Sequence, residues 1–123
     1  MMSSLNELTS RERRAVRSAL IAELARTEAQ TASLARQFDD IVEAAELTST
    51  DDEHDPEGAT IAFERAQVSS LLTQAMQDRA ALQDSLARLD DDDFGSCQRC
   101  ARPIAFERLV VLPATRHCVA CAP

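Results

Sequence analysis

Between residues 20 and 45, Leu20, Leu24, Thr27, Thr31, Leu34, Phe38, Ile41 and Ala45 follow one another at alternating steps of four and three. That spacing keeps one stripe of an α-helix facing a partner helix. The alternation returns at Ile61, Arg65, Val68, Leu72, Ala75, Arg79, Leu82, Leu86 and Leu89. From Leu5 to Leu47 there is no Gly or Pro, and Ala, Leu, Glu, Gln and Arg dominate, so local propensity also favours one long helix. The residues between the two stripes, T-S-T-D-D-E-H-D-P-E-G-A-T, are those that cap and turn a chain, with Pro56 and Gly58 ending any continuous helix. A connection this short makes the helices antiparallel neighbours. Centring the turn near Glu53 opposes Ile41 to Arg65, Phe38 to Val68, Leu34 to Leu72, Leu24 to Leu82 and Leu20 to Leu86. The same register sets Thr27 and Thr31 against Arg79 and Ala75, a thin polar layer in which Arg79 is expected to run its stem along the seam and carry its charge outward, toward Glu23 or Glu28.

The expected architecture is therefore all-α dominated: a long antiparallel helical hairpin over residues 1–90, with an acidic tip near 50–59, followed by a small module over 91–123. Composition agrees. Aromatic residues make up 3% of the chain, all Phe, so burial rests on Leu, Ala, Ile and Val, which suits helix packing better than a β-sandwich.

Net charge is −8, and its placement is uneven. Asp51, Asp52, Glu53, Asp55 and Glu57 gather at the turn, and Asp90 to Asp93 form a second run. A chain of this sign lacks the basic face that sequence-specific nucleic-acid binding needs. Arg11, Arg13, Arg14 and Arg17 read as a solvated helix face. No Lys is present, and no Ser-His-Asp set, Gly-rich phosphate loop or open metal site appears, so the reading is of a protein that is not an enzyme. No segment is apolar enough for a signal peptide or a membrane span, and a cytoplasmic location is expected.

The chemistry of the chain lies in Cys97-Gln-Arg-Cys100 and, seventeen residues later, Cys118-Val-Ala-Cys121. A CxxC turn lets two thiolates reach one ion, and two such turns complete a tetrahedral shell, the pattern of one structural zinc. The remaining residues of the module, Phe94, Ile104, Phe106, Leu109, Val110, Val111 and Leu112, are too few for a stable core alone, so its folding is expected to depend on metal. Arg99, Arg102, Arg108 and Arg116 would offset the charge of a zinc tetrathiolate. His117, beside Cys118, is a possible substitute ligand, although four thiolates already fill the shell.

The run D-F-G-S-C-Q-R-C-A-R-P-I-A-F-E-R-L-V-V-L-P-A-T-R-H-C-V-A-C, residues 93–121, resembles the zinc finger of the DksA/TraR family, including the Phe-Gly before the first Cys, Ile104, Arg108-Leu109, Pro113 and both knuckle spacings. The helical hairpin before it suits the coiled coil of that family. The resemblance implies a regulator that binds bacterial RNA polymerase, inserts the hairpin into the secondary channel and brings acidic tip residues near the catalytic centre. Counted back from the first Cys, the family's tip positions fall on His54, Glu57 and Ala59, with Asp55 adjacent to the first. Asp55, Glu57 and Ala59 are thus the expected partner-binding tip. The positions that carry basic residues for guanosine tetraphosphate in longer members fall on Ala81 and Leu112, which implies little response to that alarmone. The residues alone leave two other readings open: a zinc-finger adaptor for some other protein, including a second copy of the chain, and a thiol redox sensor.

Overall fold

The computed structural model describes residues 8–47 and 56–122. Three helices follow in order: α1, Ser10–Leu47; α2, Pro56–Arg88; and α3, Phe106–Val111. No strand is present among the described residues beyond an isolated antiparallel bridge between Ser96 and Pro103. The chain packs as two compact units, Met1–Ala25 with Ala80–Pro123, and Arg26–Arg79.

In the first unit α1 opens on a capping box. Thr9 Oγ1 accepts from the Glu12 amide and Glu12 Oε1 accepts from the Thr9 amide, each at 3.0 Å, so two of the otherwise orphaned donors at the helix start are satisfied. The start of α1 lies beside the end of α2, which fixes the pair as antiparallel. Arg13 donates to the carbonyl of Leu89, and Arg17 pairs with Asp90 at 3.0 Å, one position from the Arg17–Leu89 opposition that the seam register gives. These two arginines are half-buried and engaged while Arg11 and Arg14 are exposed, so the expected solvated arginine face holds for only half of its members. Their charge also suits the carbonyl end of α2, where the Asp90–Asp93 run is poorly placed against the helix dipole.

One core serves the helices and the C-terminal module together. Val16, Leu20, Leu82 and Leu89 from α1, α2 and the α2 terminus are clustered with Phe94, Cys97, Ile104 and Leu109, and Leu8, Leu24, Leu86 and Phe106 pack against them. Val16 and Ser85 are fully buried although the seam pattern did not include them. Within the finger Leu109 is buried, but Val110, Val111 and Leu112 are exposed, contrary to their expected place in its core. The reason is geometric: α3 has six residues and so turns one narrow face inward, leaving its last positions in solvent.

In the second unit, Thr27, Leu34 and Ala75 are buried. Thr31, Phe38, Ile41, Ala45, Ile61, Val68, Leu72 and Arg79 are half-buried, so the seam read from spacing is the shielded face. The polar layer is satisfied internally on α1, where Thr31 Oγ1 donates to the Thr27 carbonyl at 2.8 Å. Arg65 is the exception: it occupies a seam position and is exposed, as the long charged side chain can leave the interface.

Candidate metal centre

The finger begins where α2 ends. Gly95 adopts φ +91°, a region that only glycine enters without cost, and this turns the chain from the α2 terminus into the first knuckle. Space is not the constraint there, since a Cβ would meet Leu8 no closer than 3.6 Å. Two backbone bonds then tie the knuckle, Cys97 N–H to Arg102 O at 2.7 Å and Ala101 N–H to Cys97 O at 2.9 Å, with Ile104 N–H to Gly95 O at 2.7 Å behind them. Ala101 closes the turn at φ 65°, left-handed backbone that costs an L-residue on the order of 1 kcal/mol. The second knuckle is a turn in which the amides of Cys121 and Ala122 both donate to Cys118 O, at 3.1 and 3.0 Å.

The knuckles are held to each other through their flanks. Gln98 N–H donates to Arg116 O at 2.8 Å, and Arg108 Nε, from α3, donates to His117 O at 3.0 Å. Arg108 thus acts by bonding the backbone next to Cys118, a role that charge counting along the sequence did not show. His117 lies outside the gathered sulfur set.

This arrangement brings the four sulfurs of Cys97, Cys100, Cys118 and Cys121 within 4.8 Å of one another. Cys100 Sγ and Cys118 Sγ are 3.7 Å apart. A tetrahedron of thiolates about 2.3 Å from zinc has edges of about 3.8 Å, so the sulfurs already stand at ligand spacing. A disulfide would need them about 2.05 Å apart, and all four cysteines are free thiols. Cys97 is buried in the shared core, Cys118 and Cys121 are half-buried, and Cys100 faces solvent.

The electrostatics suit a metal that takes thiolates. Backbone amides, that of Cys118 foremost, donate to Cys97 and draw its thiol down to about 6 against the opposing effect of burial. Cys121, beside the sulfur of Cys118 and partly desolvated, is pushed up to about 12. One thiol therefore ionises readily, while its neighbour keeps its proton in a hydrogen bond with the Cys118 sulfur and resists. A donor set of four thiolates leaves no position open for a substrate, which makes the metal structural.

Residues 92–123 match the family model described as the prokaryotic dksA/traR C4-type zinc finger. Among solved structures, the chain is similar to that of transcription factor DksA2 from Pseudomonas aeruginosa, with a TM-score of 0.74 at 20% identity over 90% of this chain and 80% of the other. A comparison with curated proteins finds no match. No helix among the described residues is long and apolar enough to cross a membrane. Of the expected tip residues, Glu57 and Ala59 lie exposed at the start of α2, and Asp55 and His54 fall outside the described residues. The four-sulfur centre, the finger that matches its family model and the DksA-like helical fold that precedes it bear out the resemblance read from the sequence: the chain carries the C4 zinc finger of the DksA/TraR family, with one structural zinc.

Proposed function

We propose that the protein regulates transcription by binding bacterial RNA polymerase, without catalysing a reaction of its own, and that it enters the secondary channel tip first. In this reading Cys97, Cys100, Cys118 and Cys121 ligate the zinc, which fixes the finger against the ends of α1 and α2. Asp55, Glu57 and Ala59 form the working tip. The observation that carries the reading is the finger's family match together with the DksA2-like fold over 90% of the chain.

Physical chemistry supports the same choice. An acidic tip favours entry into a cavity lined by basic groups or holding a divalent cation, because carboxylates gain from both. Glu57 sits in the first turn of α2, where a carboxylate also stabilises the helix start, and it stays exposed to a partner. The double change Asp55→Asn and Glu57→Gln removes two charges at nearly constant size and touches no seam position. The variant is expected to keep its zinc, its helicity and its binding to polymerase, and to lose its effect on initiation in a purified transcription assay. An undiminished effect on initiation would reduce the tip acids to a solvated turn.

A further inference from the structure

The two knuckles are not held alike. Cys97 of the first is buried in the core, whereas Cys118 and Cys121 of the second are half-buried and only pack against that core. The second knuckle therefore leans on polar ties, and two of them meet on one atom. The carbonyl oxygen of His117 accepts from Arg108 Nε at 3.0 Å and from Thr115 Oγ1 at 3.2 Å. Thr115 Oγ1 in turn accepts from the His117 amide at 3.4 Å.

Both donors are themselves fixed. Arg108 stands in α3 beside Leu109, which is buried in the core. Its amide donates to Ala105 O at 3.0 Å, and its carbonyl accepts from the Leu112 amide at 2.7 Å. The Thr115 amide donates to Leu112 O at 3.0 Å, so a run of hydrogen bonds leads from α3 to the second knuckle.

The oxygen they hold belongs to the peptide unit that joins His117 to Cys118. That unit is planar and trans, so its oxygen and its N–H point in opposite directions, and fixing one aims the other. The N–H is that of Cys118, and it donates to the sulfur of Cys97, from one knuckle to the other. Donors on the oxygen also polarise the unit and strengthen the bond that its N–H gives. Neither effect depends on the net charge around the centre, because an uncharged N–H at the place of Arg108 Nε would serve both.

We propose that Arg108, together with Thr115, is a positioning residue for the zinc centre: by holding the His117 carbonyl it aims the Cys118 amide at the sulfur of Cys97 and keeps the second knuckle at ligand spacing. The inference rests on the four cysteines being the zinc ligands, which the zinc content of the unaltered protein tests separately. The test uses the full-length, zinc-loaded protein under reducing conditions, with zinc affinity read by competition with a chromophoric chelator and the Cys118 amide proton followed by NMR. Arg108→Met keeps the stem and removes the donor. It is expected to weaken zinc binding by about 10–100-fold, the usual effect of losing an outer-shell partner, and to move the Cys118 amide proton upfield. Arg108→Gln places an uncharged N–H at the position of Nε and is expected to restore most of both. Thr115→Val removes the other donor and is expected to weaken zinc binding in the same direction, so the test does not depend on one variant folding. A lowered thermal midpoint with unchanged zinc affinity and an unmoved Cys118 amide would make Arg108 a fold-stabilising residue only, and would overturn the proposal. Equal zinc affinity in Arg108→Met and Arg108→Gln would overturn the role of the donated bond.

Discussion

Zinc removal should loosen the helix ends as well as the finger. Of the eight clustered core residues in the first unit, Val16, Leu20, Leu82 and Leu89 belong to the helical part, and Phe94, Cys97, Ile104 and Leu109 belong to the finger. Full burial of a Val or Leu side chain contributes about 1.5–3 kcal/mol, so the four helical residues together draw roughly 6–12 kcal/mol from their cover. With the finger supplying half of that cluster, its collapse should cost the helix ends roughly 3–6 kcal/mol, a large part of the 5–15 kcal/mol that stabilises an ordinary domain. The loss of ligation itself, on the order of 10–16 kcal/mol in small zinc modules, ensures that the finger opens. Hydrogen exchange read by mass spectrometry, with and without a zinc chelator under reducing conditions, resolves the two effects. Protection should fall across 94–121 and also across 12–24 and 80–90, there by about a hundredfold, since 3 kcal/mol is two powers of ten in the opening equilibrium. Helix ends that keep their protection while the finger exchanges freely would show that the shared core is not a cooperative unit, and would refute the reasoning.

Further outcomes follow from the knuckles. Cys100→Ser removes an exposed sulfur and leaves no core cavity, so metal analysis should show lowered zinc content while circular dichroism shows most helix retained. Ala101→Gly relieves the φ 65° strain and should stabilise the zinc-loaded protein by up to about 1 kcal/mol, read as a raised thermal midpoint; destabilisation would mean that the alanine methyl is needed. Zinc binding must displace protons from thiols, Cys121 at about 12 being the most reluctant and Cys97 at about 6 the readiest, so competition titrations should show affinity falling as pH is lowered, and pH-independent affinity would speak against thiolate ligation.

The helices were legible because their seam is made of side chains whose spacing carries the information. All eight α1 positions from Leu20 to Ala45 are shielded, and on α2 only Arg65 is not. Val16 escaped because it stands among Arg13, Arg14 and Arg17, whose charges mask the apolar stripe, yet two of those arginines are turned onto Leu89 and Asp90. Ser85 escaped because its type says surface, whereas a small side chain is what a close helix contact admits. The four cysteines could be read from spacing alone, since two CxxC turns have little else to do in such a module. That the finger would share a core with the helix ends was not legible: a boundary drawn by composition near residue 90 follows the change of local structure, whereas packing joins Leu89 to Phe94 and Leu109 across it. The fate of α3 depended on its length, which the apolar run Leu109–Leu112 does not reveal.

The most direct test of the polymerase reading is capture of partners from native bacterial cytosol on the zinc-loaded protein, followed by identification of what is retained. RNA polymerase subunits should be recovered together, and purified polymerase should bind the same protein in solution. Recovery of a different protein without polymerase, and no binding to the purified enzyme, would contradict the account and favour an adaptor built on the same fold.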